Sequence, residues 1–505
     1  MKELFILLLA CLFSSTADAQ YLYGLDPTFG NNGIYEGDTG GVFKIAVQPD
    51  KKIIIVGQDI KNYAYNNVIK RFKEDGEFDS SFSNSGVFLV NTNTSSSNQK
   101  IVSSIYLQQD GKIILGGWTA LVNGNSDLYL IRLKPNGTFD SSFGNNGEFV
   151  NDLGSDEGIT SIAVQPDNKI LICGNISNNY IVVIRYHPNG TLDSSFGNNG
   201  IVVPDSTWGL DYPNANDIDL MSDGRIVLGI DGRVKALSAY CFSAVRLLPN
   251  GSLDTSFNHT GLAYSSAISG WLVYCKAMSL QPDGKVLLAG YDDSMAIIRF
   301  DSTGQPDSIF GKNGVVKLDP AGKVVDMLLQ PDGRIVVATN PDGFPYPDSC
   351  YTIYRLLPNG SIDSSFGVNG KLLTQPATKP TMIGTLALQP DGKLLAGGSF
   401  VQNSKLLLVR YTPDATASIT NLPTANDIVL YPNPATNYIY FDLPDNQRIR
   451  QLYIYSLDGK LHRTKYDAYL KRFSIEDLAN GVYYLKLTLA NNQQIIKKLL
   501  IQKNN

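Results

Sequence analysis

The sequence predicts an all-β fold: a seven-bladed β-propeller followed by a small C-terminal β-sandwich. Three observations predict it. An Arg that ends an apolar, strand-like run recurs at Arg71, Arg132, Arg185, Arg246, Arg299, Arg355 and Arg410, at intervals of 53 to 61 residues. Ahead of each Arg lies a turn of the Gln-Pro-Asp-Gly-Lys type, entered at Asp50, Asp110, Asp167, Asp223, Asp283, Asp332 and Asp391. Each unit holds only strand and turn signals. Self-similarity at such a period marks a repeat architecture, in which stacked neighbours bury the faces that one unit cannot bury alone.

Composition agrees with that class. The 505 residues are 43% apolar and 18% charged, ample for one large core and a smaller domain. A net charge of -5 without a clustered basic face argues against nucleic acid as a partner. With three His and six Met, the chain reads as a turn-rich exported protein and not as a metal or redox enzyme; no cofactor or metal site is read from it.

The first element is an export signal. Lys2 supplies a short positive region, Leu4 to Phe13 an apolar run too short for a membrane span, and Ala17-Asp18-Ala19 a small-residue cleavage site. Residues 1–19 are therefore expected to be removed between Ala19 and Gln20, and no transmembrane span is expected elsewhere. A rival reading acylates Cys11 as a lipoprotein; the apolar run continues through Leu12 and Phe13, which favours the ordinary signal. Four other cysteines, Cys173, Cys241, Cys275 and Cys350, lack CxxC spacing, which disfavours zinc. Cys173 reads as a small core hydrophobe, and Cys241 and Cys275, in adjacent repeats, are placed to pair or to stay reduced.

The repeat body spans residues 20–411. In the third copy, Ala163-Val164-Gln165 is a strand, Pro166-Asp167-Asn168 a tight turn, Lys169 to Cys173 a second strand and Tyr180 to Tyr186 a third. Pro and Asp suit the central positions of a type I turn, and Gly or Asn the left-handed position that follows. Lys51 stands at that position in the first copy, where a looser turn is expected. After the Arg strand, Pro188-Asn189-Gly190 turns the chain into Leu192-Asp193-Ser194-Ser195-Phe196-Gly197 and a fourth strand, Ile201-Val202-Val203. Phe196 is the expected core anchor, and four short antiparallel strands make one blade.

Phase predicts closure. In six units an Asp lies eight residues after the Arg: Asp79, Asp140, Asp193, Asp254, Asp307 and Asp363. Arg410 lacks one, whereas an orphan segment, Leu25-Asp26-Pro27-Thr28-Phe29-Gly30, precedes the first unit. The N-terminal segment is expected to complete the last blade and set Asp26 beside Arg410. The same fixed offset favours a structural Arg to Asp tie in every blade over an anion site in the channel.

Over about residues 22–411 the pattern resembles the delta-60 repeat family, whose unit carries a Leu-Asp-x-Ser-Phe-Gly segment and a Gln-Pro-Asp-Gly-Lys turn. The fourth copy departs most, with Leu220-Met221-Ser222-Asp223-Gly224-Arg225 at the turn and Phe257-Asn258-His259-Thr260-Gly261 after the Phe. The resemblance implies an extracellular bacterial propeller with no assigned reaction.

Residues 412–426, rich in Thr, Ala, Ser and Pro, form a linker. From 427 to 505 strand signals resume at Ile428 to Tyr431, Tyr438 to Asp442, Arg448 to Ser456, Gly481 to Leu489 and Gln493 to Ile501, which predicts the small sandwich. Four landmarks occur in order: Tyr431-Pro432-Asn433-Pro434, Asp458-Gly459-Lys460, Gly481-Val482-Tyr483, and Lys497-Lys498. This segment resembles the type A sorting domain of the type IX secretion system of Bacteroidetes. The resemblance implies export across the outer membrane, recognition by the type IX machinery, commonly removal by its sorting peptidase near the linker, and release of the body or its attachment to lipopolysaccharide at the surface.

No catalytic residue is assigned. His187, His259 and His462 are too dispersed for a triad or metal cluster, and the repeated Asp residues read as turn formers, without DxDxDG spacing. Extra length in residues 91–100, 121–127, 204–216, 231–240, 265–274 and 340–351 brings Trp118, Trp208, Tyr212, Trp271 and Tyr346 into or beside loops. Trp118, Trp208 and Trp271 are the candidate binding aromatics, suited to stacking on a glycan or gripping a protein. The sequence thus reads as an extracellular or outer-membrane-surface binding or structural module. A polysaccharide hydrolase or lyase is the alternative, signalled by two carboxylates off the repeat register converging in the channel.

Overall fold

In every repeat the second and third strands are apolar at consecutive positions, which requires burial on both faces. The computed structural model shows where those faces go. It describes residues 24–413 apart from 62–63, 91–97, 122–124, 177–179, 271–272, 293, 319–321, 342–350, 375–379 and 402–403. Of the C-terminal segment it describes 430–431, 435, 437–441, 449–456, 461–462, 466–467, 472–489, 494–501 and 503.

Seven antiparallel four-stranded blades follow one another in the repeat body. In blade 3 the strands are Glu157–Val164, Ile170–Ile176, Tyr180–Tyr186 and Ile201–Val202, from the innermost outward. Alternate residues of one strand enter different cores. Ile54 and Val56 pack with Val102 and Leu115 of blade 2, whereas Ile53 and Ile55 pack with Leu406 and Leu408 of blade 7. Seven such clusters, one between each pair of neighbouring blades, make up the core.

One long strand, Ile34–Val47, closes the ring. Its first part pairs with Lys405–Tyr411 as the outer strand of blade 7, and from Gly40 onward it pairs with Ile53–Lys61 as the inner strand of blade 1. Gly40, at φ +156°, sits at the handover, where a Cβ would stand 1.8 Å from the carbonyl oxygen of Gln58. Only glycine fits that approach.

The repeated Arg is buried in every blade, 1 to 5% exposed. Its Nε lies 2.7 to 2.9 Å from the Oδ2 of the segment Asp in all seven blades, with Asp26 serving Arg410. Its guanidinium stacks 4.4 to 4.7 Å above the ring of the segment Phe. In six blades Nη1 donates to a turn carbonyl of the next blade, Pro135, Pro188, Pro249, Ser302, Pro358 and Glu74 in order round the ring. The last of these joins blade 7 to blade 1. The basic residue at the end of each turn, which the sequence reading passed over, reaches the same Asp: Lys52, Lys112, Lys169, Arg225, Lys285, Arg334 and Lys393 lie 3.0 to 3.7 Å from it.

Two local expectations need correction. Lys51 takes the left-handed position at φ 64°, and its turn carries the same pair of backbone hydrogen bonds, 2.8 Å each, as the glycine turn at Gly111. The strands on either side dictate the turn, so a residue that pays for positive φ leaves it no looser. Much of the extra length in repeat 4 is paired strand: Ile226–Val234 and Ala239–Leu247 form a long hairpin, and Leu262–Gly270 extends alongside it, which satisfies backbone groups a loop would leave open.

By contact density the chain divides at Ala417/Ser418. In the C-terminal unit, two four-stranded sheets share one core of Ala435, Ile439, Ile454, Phe473, Leu485, Leu487 and Leu499, among others. Three short strands there, Leu461–His462, Tyr466–Asp467 and Arg472–Ser474, had no sequence signal. Among the described residues no helix is long and apolar enough to cross a membrane.

Truncating the buried Arg takes from the buried Asp its nearer cation and leaves only Arg225, so Arg246→Ala should cost about 3 kcal/mol, read as a lower urea midpoint, whereas Arg246→Met with Asp254→Leu should cost less. Burial works against ionisation of Asp79 and Asp254, yet hydrogen bonds from Ser81 or Ser256 and the Arg charge hold both at about 2. Because the folded value lies below the unfolded one near 3.8, this stabilisation is present above about pH 4 and lost as pH falls toward 2. Stability measured from pH 7 to 2 should fall in that window, and Asp79→Asn should flatten the fall.

Candidate functional site at the channel and its mouth

Each inner strand carries a bulge at an equivalent place, skipping Phe43, Ser103, Thr160, Asn216, Lys276, Val325 or Gly384, and that of blade 4 has a second irregularity between Asp211 and Asn214. Bulges re-aim side chains, and here they set differing residues at the same level of all seven blades.

In blade 4 the residues after the bulge include two acids on one face of the strand, Asp217 and Asp219. Asp217 is held by three blades: Ser161 donates its hydroxyl at 2.7 Å, Ile218 its amide at 2.9 Å and Met278 its amide at 3.4 Å. Burial among the inner strands pushes its carboxyl up, and the charge of Lys44, from blade 1, opposes that shift. Asp219 accepts the Leu220 amide at 2.7 Å. Its side chain is exposed at the channel wall, yet the inner strands around it desolvate the carboxyl, and that desolvation, aided by Asp217, pushes it up to about 6. Asp326 of blade 6 sits at the place of Asp217 and accepts the Leu386 amide of blade 7 at 2.7 Å.

A cavity of about 330 Å³ opens where the inner strands of blades 5, 6 and 7 begin, lined by Lys276, Tyr291, Lys323, Val324, Asn340 and Met382 among others. Tyr274 and Tyr291 have ring centroids 5.3 Å apart, with Lys276 Nζ 5.5 Å from the first and Lys323 Nζ 5.8 Å from the second. Lys276 and Lys323 are exposed. Asn340 braces the floor, donating to the Ile383 carbonyl at 2.8 Å and accepting its amide at 3.0 Å. The arrangement offers two cations beside two aromatic faces, suited to an anionic ligand with a flat apolar surface.

The sequence-predicted residues fall elsewhere. Trp208 closes a short 3-10 turn, Ser206–Trp208, and is 5% exposed, packed in the core between blades 3 and 4; the turn is folded down by Asp205, whose carboxylate accepts the Thr207 amide at 2.8 Å. It offers no face for stacking. Trp118 lies within the strand Ile113–Leu121, half-buried against Gly158 of blade 3, and Tyr212 is exposed. Trp271, Tyr346, Ala19 and Gln20 lie outside the described residues, as do Pro432, Asn433, Pro434, Asp458, Gly459 and Lys460. Tyr431 pairs with Tyr440 across two strands, Gly481 with Ile501, Lys498 with Tyr484 and Lys497 with Leu485; Tyr483 is buried, its hydroxyl donating to the Ala479 carbonyl at 3.1 Å. Cys173, Cys241 and Cys275 are buried free thiols. The cationic pair was legible only as charge off the repeat register, since Lys276 stands where other copies carry Phe43, Ser103, Thr160, Asn216, Val325 and Gly384.

Comparison with known families matches the domain of unknown function (DUF5122) beta-propeller seven times, at residues 48–82, 108–143, 165–196, 222–257, 281–310, 330–366 and 389–416. The secretion system C-terminal sorting domain matches residues 429–502. No curated protein matches the chain. Among solved structures it is similar to PorZ, an essential surface component of the type IX secretion system of Porphyromonas gingivalis, at 13% identity and TM-score 0.38, covering 92% of this chain and 59% of that one. It is also similar to the Pyrococcus horikoshii acylaminoacyl peptidase (11%, TM-score 0.40, covering 75% and 54%) and to the leech intramolecular trans-sialidase (12%, TM-score 0.37, covering 78% and 70%). The chain thus spans about six tenths of the PorZ chain and little more than half of the peptidase. Seven repeats with their shared Asp turn and a terminal domain with its ordered landmarks place the chain in the DUF5122 beta-propeller family, with a type IX sorting domain that directs it to the outer-membrane surface or the extracellular space.

Proposed function

We propose that the propeller is a non-enzymatic binding module for an acidic glycan, displayed after cleavage between Ala19 and Gln20 and after recognition of the sorting domain by the type IX machinery and its sorting peptidase. The observation that carries this reading is the cavity at the mouth of blades 5 to 7, lined by Lys276, Lys323 and Tyr291, with the exposed Tyr274 ring beside that of Tyr291. A sugar ring stacks on tyrosine through its C–H face, and a uronate carboxylate or sulfate meets the ammonium groups; the two together select acidic over neutral sugars. Lipopolysaccharide retention and a protein ligand on the same mouth are the other partners compatible with surface display.

A second reading rests on Asp219, whose carboxyl stands near 6 beside Asp217 in a channel wall, as a general acid in a polysaccharide hydrolase or lyase requires. Against it, Asp217 is already bonded to three blades.

A glycan array probed with the full chain and read for both retained ligand and cleaved product separates the two. Binding of uronate or sulfated glycans, weakened at least about tenfold by Lys276→Ala with Lys323→Ala and by 0.5 M salt, supports the binder. Binding of neutral glycans alone, or binding untouched by the double variant, sinks it. Turnover that rises and falls with pH around about 6 and disappears in Asp219→Asn would establish the enzyme.

A further inference from the structure

Three carboxylates separated by some thirty residues meet where blade 2 passes into blade 3. Asp127 opens the third strand of blade 2, Asp152 follows its outer strand Glu148–Asn151, and Glu157 opens the inner strand of blade 3. One oxygen from each lies within 4.8 Å of the other two. Among the described residues no Lys or Arg pairs with any of the three.

Glu157 adds an independent sign of a missing partner. It is 3% exposed, and while the amide and hydroxyl of Ser155 donate to Oε1 at 2.8 and 3.0 Å, Oε2 has no hydrogen-bond partner. The Leu153 amide also favours the charged form of this carboxyl. Burial and then the charge of Asp127 push this carboxyl up, against the pull of Ser155. A buried carboxylate oxygen without a hydrogen-bond partner, on a residue that stands beside two other carboxylates, is costly unless a cation receives it.

We propose that Asp127, Asp152 and Glu157 bind one calcium ion. The donor set is all oxygen, without His or Cys, which selects a hard cation. Calcium accepts an irregular shell of oxygens at ~2.4 Å, as ligands from three separate elements would supply, whereas magnesium at ~2.1 Å demands a near-ideal octahedron. The surrounding loop is already shaped by its own bonds: the Gly154 amide donates to Asp152 at 2.6 Å, the Ser126 amide to Asp156 at 2.9 Å, and the Glu157 amide to the Ser126 carbonyl at 2.6 Å. The Thr119 hydroxyl bonds Asp127 at 3.4 Å, leaving its other oxygen for the ion. Held this way, calcium ties the third strand of blade 2 to the first residue of blade 3 across a crossover that otherwise carries unbalanced negative charge. No sequence motif announces it, because the ligands come from three elements.

Calorimetric titration of the full chain, stripped with EDTA, tests this with calcium chloride as the probe. One calcium per chain should bind with a dissociation constant on the order of 10⁻⁴ to 10⁻³ M, and the melting temperature should rise with calcium more than with equal magnesium. Glu157→Gln should weaken binding at least tenfold yet melt in EDTA no lower than the parent, since the neutral amide relieves the repulsion; a purely structural glutamate would not give that sign. Asp152→Asn, at an exposed position, should weaken binding without touching the core. Absence of both binding heat and a melting response up to about 10 mM calcium, or parental affinity in both variants, overturns the assignment.

Discussion

The repeated Arg is the interaction on which the ring depends. In blade 4, Arg246 binds within its own blade through Nε to Asp254 and Nη2 to Ser256, while Nη1 crosses to the next blade, and the plane of the guanidinium lies on the buried Phe257; blade 5 lacks only the hydroxyl partner, because Ile309 stands at its place. A planar fork with donors on several edges does this in one residue; a Lys, with one point charge, would not hold three directions at once. In six blades the Arg thereby locks its blade to the next by a charge-assisted bond, and the same device joins the last blade to the first.

This arrangement explains why the motif tolerates change unevenly. The Asp is fixed from two sides, by the Arg and by the basic residue of the turn, and it also accepts a hydroxyl and an amide from the residue two positions on. The turn residue before that basic group matters less: Lys51 and Asn168 stand where Gly111 does, all at positive φ. The inner strands are freer still. There the repeat imposes only a bulge, and the side chains it presents, from Gly384 to Lys276, are where this propeller departs from its own period.

That freedom is where chemistry gathers. Two lysines and two tyrosines at the mouth of blades 5 to 7, a desolvated pair of acids in blade 4, and three acids at the crossover from blade 2 to blade 3 all lie off the repeat register. The scaffold tolerates them because its stability comes from the seven joints and the clusters between blades, not from the channel wall.

The sequence by itself determined the number of blades, the order of strands within each, the turn that precedes every second strand, and the change of texture at the linker, because each of these depends on contacts local in the chain or repeated seven times. Arg246, Asp254 and Phe257 are readable as a unit since they lie within twelve residues of chain. Tertiary structure alone decided the rest. Trp208 became a core residue because its short turn folds it between two blades, Nη1 of Arg71, Arg132, Arg185, Arg246 and Arg299 found a carbonyl 56 to 64 residues onward and that of Arg410 one near the other end of the body, and Lys276 met Lys323 because blades five and six are adjacent in the ring. Contacts of that reach are set by how the blades stack, and a one-dimensional period carries no record of which unique residues the stacking brings face to face.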